Sequence, residues 1–291
     1  MPDINTGPVT PVEIVVWWMD VGSPSPDTAQ RWYLCLDPPE RLRADRFRFQ
    51  EDRLTYIAAH WLLREALSAV GDRPAPDWRF MAGQRGKPHI DPAAGPPDLA
   101  FSLSHTRGFV TCAVGLGVEI GIDVEALIPE RASLDVARRF FSPSEIMMLH
   151  RAAPEEQVSL FFRLWTLKEA FVKATGEGIS FALESVSFSL DPVSVELASD
   201  RRDEVLRWRF AEVSPTIGHV ISVAIRCPIA APANLTICHV VPSTFSPVRN
   251  HSHQKDIVNT RGTLTQPPKP PSALIRLGKF RMCGGHLLRE T

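Results

Sequence analysis

The chain has 291 residues, which is enough for one large domain or two smaller ones with a substantial hydrophobic core. Hydrophobic residues make up 44% and charged residues 22%, as in ordinary globular proteins, and a net charge of -1 argues against binding to nucleic acid. There is no secretory signal pattern and no apolar run of the roughly 20 residues that a membrane helix needs. Five scattered cysteines fit a reducing compartment, so we expect a cytoplasmic protein without a membrane partner.

The first half of the chain combines strand and helix patterns. In chain order we predict a strand at 12–19, a loop at 22–30, helices at 40–45 and 51–70, and strands at 101–103, 109–115 and 118–125. The long helix is predicted because Leu54, Ile57 and Trp61 recur at helical spacing, and Gly71 ends it.

The second half begins with a clear helix start. Ser142 is followed by a proline at the first helical position and by Glu145, which completes a capping box. We therefore interpret Glu145 as structural. A longer helix over 155–175 stops at Gly176, and strands near 185–190, 206–213 and 219–227 complete the pattern.

The composition changes after about residue 230. Residues 241–291 contain eight Lys/Arg and only two Asp/Glu among clustered Pro, Ser, Thr, Asn and His, which is typical of loosely ordered chain. We therefore predict an N-terminal lobe at 12–125, a C-terminal lobe at 126–230 and a disordered tail at 231–291.

The strand at 118–125 carries acidic residues on one face. Its branched apolar residues alternate onto one side, which leaves Asp123 and Glu125 on the other side with Gly121. Carboxylates two residues apart on a strand are separated by roughly 6.5–7 Å, so both can approach one cation. Mg²⁺ prefers such oxygen ligands together with substrate phosphate, and Gly121 leaves room for a ligand beside the backbone. A solvated strand face explains this segment in isolation equally well.

The helix segment from Leu164 to Lys173 places Glu169 and Lys173 on one face, one turn apart, with Trp165 one turn earlier. A carboxylate beside a bulky apolar group is partly desolvated, and this raises its basicity. A helix-stabilising Glu–Lys pair is the simpler explanation of this segment taken alone.

Two shorter segments complete the candidate chemistry. Lys87 lies in a turn, Gly86–Pro88, that lacks the glycine spacing of a phosphate-binding loop. Ser104 and His105 end a strand and suggest a Ser/His/Asp hydrolase with Asp123, but the G-x-S-x-G elbow is missing and adjacent strand residues point apart. A single histidine is more often structural.

Taken together and in this order, these segments resemble the 4'-phosphopantetheinyl transferases, specifically the larger, two-lobed type resembling the surfactin-synthetase-activating enzyme. The resemblance covers roughly residues 12–228. Five motifs carry it: Gly86-Lys-Pro88, Phe101-Ser-Leu-Ser-His105, Gly121-Ile-Asp-Val-Glu125, Phe140-Phe-Ser-Pro-Ser-Glu145 and Trp165-Thr-Leu-Lys-Glu-Ala-Phe-Val-Lys173. The resemblance implies an α+β monomer of two similar α/β lobes, related by a pseudo-twofold axis, with coenzyme A in the cleft between them.

The resemblance also implies roles for individual residues. Asp123, Glu125 and Glu169 would hold Mg²⁺ against the diphosphate of coenzyme A, with Glu169 as the general base and Lys173 stabilising negative charge. The residues implied to contact the phosphate groups are Arg43, Lys87, Ser104, His105 and Lys173. For a small polar contact that the family makes to coenzyme A, the candidates here are Thr55, Tyr56, Arg53 and His60.

The implied reaction transfers 4'-phosphopantetheine from coenzyme A to a serine hydroxyl of an apo acyl or peptidyl carrier protein, with Mg²⁺, and releases adenosine 3',5'-bisphosphate. Such an enzyme is a holo-carrier-protein synthase. One alternative is a magnesium-dependent phosphodiesterase or nuclease, which the near-neutral charge disfavours. The other is a non-catalytic carrier-binding module, which the retention of three carboxylates and Lys173 disfavours. The motifs do not specify which carrier is served.

Overall fold

The computed structural model describes residues 10–83, 86–178, 183–197, 202–229, 231–242, 258–262, 280–283 and 286–289. Its helices are α1 (Pro26–Cys35), α2 (Pro38–Ala44), α3 (Gln50–Val70), α4 (Leu134–Phe140), α5 (Pro143–Arg151), α6 (Pro154–Thr175) and α7 (Arg202–Val205). Its strands are β1 (Val12–Asp20), β2 (Phe80–Ala82), β3 (Pro88–Ile90), β4 (Leu99–Thr106), β5 (Phe109–Leu116), β6 (Glu119–Ala126), β7 (Ser187–Leu190), β8 (Val193–Glu196), β9 (Trp208–Thr216), β10 (His219–Arg226), β11 (Ala233–His239), β12 (Val258–Gly262), β13 (Phe280–Cys283) and β14 (His286–Arg289).

Two sheets pack face to face, and each carries helices on its outer side. The first sheet has the order β12-β11-β1-β5-β4 and the second the order β6-β10-β9. Ile14 and Val16 from β1 share one buried cluster with Ile122 from β6 and Val223 from β10, which forms the core between the sheets. Further cores lie under α1 and α3 on one side and under α4, α5 and α6 on the other. The protein therefore has the predicted α+β fold, with one long helix on each sheet.

Local sequence signals set the helix ends as predicted. Ser142 and Glu145 form both hydrogen bonds of the capping box that starts α5. Gly176 ends α6 in the left-handed conformation, at a φ of 70° that a side chain would disfavour. The loop predicted at 22–30 is wrong in its second half, because Ser25 caps α1 and Pro26 occupies its first turn.

The predicted tail begins too early. Strand β11 pairs with β1 in parallel, from Val12 opposite Ala233 to Trp18 opposite His239. The side chain of Leu235 in β11 is buried, so β11 belongs to the first sheet and contributes to its core. Within the rest of the predicted tail, β12 pairs with β11, and β13 pairs with β14. The remainder of that tail lies outside the described residues.

The seam between the two halves lies before Glu119 and not at residue 125. All of β6 pairs with β10, from Glu119 opposite Arg226 to Ala126 opposite His219. The free edge of β6 faces β4, and there the backbone N–H of Ile122 donates to the hydroxyl of Ser102 at 3.0 Å. Across the described part of the chain, no helix combines the length and apolar character needed to cross a membrane.

Candidate active site

The candidate site lies where α6 packs on β6, and Gly121 is the point of closest approach. A Cβ at this position would lie 1.9 Å from the carbonyl oxygen of Ala170 and 2.5 Å from the amide nitrogen of Ala174. The space beside Gly121 that the sequence suggested for a ligand is therefore filled by the backbone of α6. This close packing brings the acidic face of β6 next to the helix face that carries Glu169 and Lys173.

Asp123, Ser104 and Lys173 form a hydrogen-bonded cluster at this junction. The ammonium of Lys173 lies 2.6 Å from Oδ1 of Asp123 and donates to the Ser104 hydroxyl at 2.9 Å. Ser104 in turn donates to the same Oδ1 at 2.8 Å. The second oxygen of Asp123, Oδ2, is buried and has no hydrogen-bond partner among the described residues. An unpaired buried carboxylate oxygen is costly, so this atom is available to a ligand.

Glu125 and Glu169 add two more carboxylates around Asp123. Burial, followed by the charge of Asp123, raises the pKa of Glu125 from 4.5 to about 7. The pKa of Glu169 is raised by the same two causes, in the same order. Nearby Lys173 opposes the shift at both sites, and Arg131 opposes it at Glu125. At both glutamates, burial and the charge of Asp123 therefore outweigh the neighbouring cations, and each side chain holds a proton more readily than a free carboxylate.

A divalent cation fits the chemistry of these donors. They are hard carboxylate oxygens, the charge of Asp123 raises the pKa of the other two, and Oδ2 of Asp123 is buried without a partner among the described residues. As positioned, no three His, Cys, Asp or Glu side chains of the described segments converge closely enough to ligate one metal ion. The ammonium of Lys173 instead lies against Asp123.

Two crevices lie beside this cluster. One is a cavity of about 300 Å³ whose walls include Phe101, Leu103, Glu169 and Lys173. The other is a cleft of about 790 Å³ whose walls include His105, Glu125 and Arg131. Residues of the carboxylate cluster thus line both crevices, Glu169 the smaller and Glu125 the wider.

His105 lines the wider crevice and has other basic side chains near it. Partial withdrawal from water lowers the pKa of His105, and the nearby His60, Lys173 and Arg43 lower it further, although the ring is accessible from the crevice. The guanidinium of Arg43 lies 5.5 Å from the ring centre of Tyr56 and is exposed. The positive charges of Lys173 and Arg43 near His105 favour an anion.

The other predicted basic residues have partners elsewhere. Lys87 lines the smaller crevice, but its ammonium donates to the backbone carbonyls of Ile120 at 3.2 Å and Ala174 at 2.9 Å. Arg53 pairs with Asp45 at 2.9 Å.

Thr55 and His60, two of the candidates for a polar contact to coenzyme A, bond to other groups of the protein. Thr55 donates its hydroxyl to the carbonyl of Glu51 at 2.9 Å and accepts from the Gly108 amide, while Tyr56 is buried. His60 Nδ1 lies 2.8 Å from Oε1 of Glu40.

Comparisons with known proteins match the same division of the chain. A family model described as 4'-phosphopantetheinyl transferase, N-terminal, matches residues 21–116, and one described as the 4'-phosphopantetheinyl transferase superfamily matches residues 119–224. The 4'-phosphopantetheinyl transferase HetI of Nostoc sp. is 33% identical over 214 residues, which cover 73% of this chain and 87% of that protein. This chain belongs to the 4'-phosphopantetheinyl transferase family.

Further relatives agree with this membership. The 4'-phosphopantetheinyl transferase Sfp of Bacillus subtilis is 35% identical to this protein over 176 residues, which cover 60% of this chain and 76% of Sfp. A solved structure of the Helicobacter pylori holo-[acyl-carrier-protein] synthase in complex with coenzyme A matches 36% of this chain and 96% of its own at 24% identity. Its TM-score of 0.29 is low, and this partial likeness adds nothing to the assignment. The family predicted from the five motifs is confirmed.

The transferase also contains the buried ion pair that explains Glu145. This side chain is fully buried and accepts hydrogen bonds from the amides of Ser142 at 2.7 Å and Phe188 at 2.8 Å. The ammonium of Lys168 pairs with it at 2.8 Å and also donates to the carbonyls of Leu183 and Val186. These contacts confirm that Glu145 has a structural role.

Two contributions to the site were missed from the sequence. Arg131 shares the wider crevice with Glu125, but no motif singles it out. Glu40 holds His60 and the fully buried Arg64, whose guanidinium lies 2.7 Å from Oε2 of Glu40. The Asp37–Glu40 capping box was the available signal for this part of α2.

Proposed function

We propose that this transferase moves the 4'-phosphopantetheine group of coenzyme A to a serine hydroxyl of an apo acyl or peptidyl carrier protein in a magnesium-dependent reaction. The observation that carries the proposal is the Asp123–Ser104–Lys173 cluster, in which one carboxylate oxygen is left unpaired, between side chains that line two crevices. One crevice can take coenzyme A while the carrier serine enters from the other.

The carboxylates are proposed as the magnesium ligands. Asp123, Glu125 and Glu169 supply oxygen donors whose mutual repulsion a divalent cation relieves. When bound, Mg²⁺ would supply charge neutralisation at the diphosphate. The release of Lys173 from Asp123 would then free its ammonium for a phosphate oxygen.

Each remaining side chain has a proposed part in the transfer. Glu169 accepts the proton of the carrier serine, because its raised pKa makes it a stronger base than an ordinary carboxylate. The serine oxygen then bonds to the phosphorus nearest the pantetheine, and the bond from that phosphorus to the bridging oxygen breaks. Lys173 stabilises the charge that develops on the leaving adenosine 3',5'-bisphosphate. Arg43, His105 and Ser104 hold the phosphate groups.

The test is direct transfer to a carrier. The full chain is incubated with coenzyme A, Mg²⁺ and a panel of apo carriers from fatty-acid, polyketide and peptide synthesis, and each carrier is weighed by mass spectrometry. We expect one phosphopantetheine mass to be added to the serine of at least one carrier, and EDTA to prevent this addition. No addition to any carrier, while a known transferase modifies the same panel, would overturn the proposal. Magnesium-dependent nicking of DNA in a parallel reaction would favour a nuclease.

A further inference from the structure

Lys87 joins three segments that are distant in sequence. It lies between β2 and β3, in the first half of the chain, while its ammonium donates to Ile120 in β6 and to Ala174 in the last turn of α6. Its aliphatic stem packs along the end of α6, since a Cβ at Gly176 would lie 3.4 Å from Cδ of Lys87. One side chain therefore links both halves of the fold.

Both carbonyls need this donor because their own elements supply none. The last four carbonyls of an α-helix have no partner within the helix, and Ala174 is the penultimate residue of α6. The negative end of the helix dipole also favours a cation there. Ile120 lies in β6, an edge strand of the second sheet. On the same edge, the backbone amide of Ile122 donates to the hydroxyl of Ser102 and not to the backbone of a neighbouring strand. Between β6 and β4, a hydrogen bond to a side chain thus takes the place of backbone–backbone hydrogen bonds.

The contact is also placed where it controls the catalytic geometry. Ile120 and Ala174 flank the point at which Gly121 meets α6. Asp123 and Glu125 follow on β6, while Lys173 and Glu169 precede Ala174 on α6. A bond from one ammonium to both elements fixes the distance between the groups that have to act together.

We propose that Lys87 is a positioning residue that holds α6 against β6 through these two carbonyls, and that it does not bind a phosphate of coenzyme A. The catalytic part of this inference rests on the proposed function. The expected consequence is a loss of turnover without a loss of coenzyme A affinity, because a displacement of about 1 Å between reacting groups can cost about 10²-fold in rate.

The test compares Lys87→Met with Arg79→Met. The methionine keeps the unbranched stem and removes the ammonium. Arg79 is a matched control, because its exposed guanidinium also donates to two carbonyls, those of Pro76 and Trp78, without reaching the second sheet. For Lys87→Met we expect kcat to fall by about 10- to 100-fold. We expect its Kd for coenzyme A, and the salt dependence of that Kd, to match those of the wild type and of Arg79→Met.

Hydrogen exchange supplies a measurement that does not depend on catalysis. Amides at the end of α6, including that of Gly176, which donates to the carbonyl of Val172, should exchange faster in Lys87→Met than in Arg79→Met. If the wild-type chain modifies no carrier, the proposed function fails and this comparison alone decides the role of Lys87. Should Lys87→Met fail to fold, Lys87→Arg, which keeps a charge with a different donor geometry, is measured in the same way.

The contrary result is equally specific. Lys87→Met would then bind coenzyme A with a Kd raised by about tenfold or more and a weaker salt dependence, while kcat and hydrogen exchange would match the wild type. That result would make Lys87 a phosphate ligand and overturn the inference. Unchanged exchange in both variants would overturn it as well.

Discussion

Replacing Gly121 by alanine should separate the two elements of the candidate active site, β6 and α6. The added methyl would lie 1.9 Å from the Ala170 oxygen and 2.5 Å from the Ala174 nitrogen. Ordinary van der Waals separations are about 3.5 Å or more, so α6 has to retreat from β6 by more than about 1 Å. Such overpacking costs about 1–3 kcal/mol of unfolding free energy. The same displacement moves Glu169 and Lys173 away from Asp123, and we expect transfer to fall by about 10²-fold.

Gly218→Ala is the matched control for this experiment. Gly218 lies in the turn between β9 and β10, where an added Cβ has no atom within 4 Å and the backbone φ does not favour glycine. Urea unfolding and steady-state phosphopantetheine transfer are measured for both variants. Wild-type stability and turnover in Gly121→Ala would show that α6 does not lie directly on β6, and would refute the reasoning.

The fold and its charges give three further predictions. Ending the chain after residue 230 removes β11 from its place beside β1, so circular dichroism should show no folded protein. Ending the chain after residue 242 should leave the fold intact. A folded, active 1–230 fragment would contradict this prediction. Lys168→Met should lower the free energy of unfolding, measured in urea, by about 3–5 kcal/mol, because it leaves Glu145 charged and buried without its ion-pair partner. A change below about 1 kcal/mol would argue against the Lys168–Glu145 ion pair. Between pH 4.5 and about 7 the native state binds more protons at Glu125 than the unfolded state, so the metal-free protein loses stability as the pH rises through this window. Mg²⁺ should therefore raise Tm more at about pH 8 than at about pH 5, and equal shifts would count against the metal assignment.

Local sequence signals predicted the elements that carry the site. The alternation around Asp123 and the helical spacing of Glu169 and Lys173 predicted their faces, and the capping box of Ser142 predicted the start of α5. These signals work because each depends on residues within one or two turns or strand repeats. The start of α1 carried a similar signal in Ser25 and was missed within a proline-rich segment.

Contacts between distant segments could not be predicted in this way. The parallel partner of β1 is β11, more than two hundred residues later, and its sequence lies beside a basic, proline-rich tail that masks it. A glycine at position 121 indicates that another group packs closely against the strand, but it does not indicate which group. A ligand was therefore expected where α6 lies. Lys87 likewise shows that a lysine in a family motif can be directed to carbonyls that only the folded chain brings together.

Three carboxylates, Asp123, Glu125 and Glu169, are proposed to act together on one divalent ion during transfer. The most direct measurement is magnesium-dependent phosphopantetheine transfer by Asp123→Ala and Glu169→Ala, with Glu155→Ala as an exposed control on the same helix as Glu169. We predict that both site variants stay folded and lose at least about 10²-fold in turnover, while the control keeps wild-type turnover. Wild-type turnover in either site variant would contradict the account.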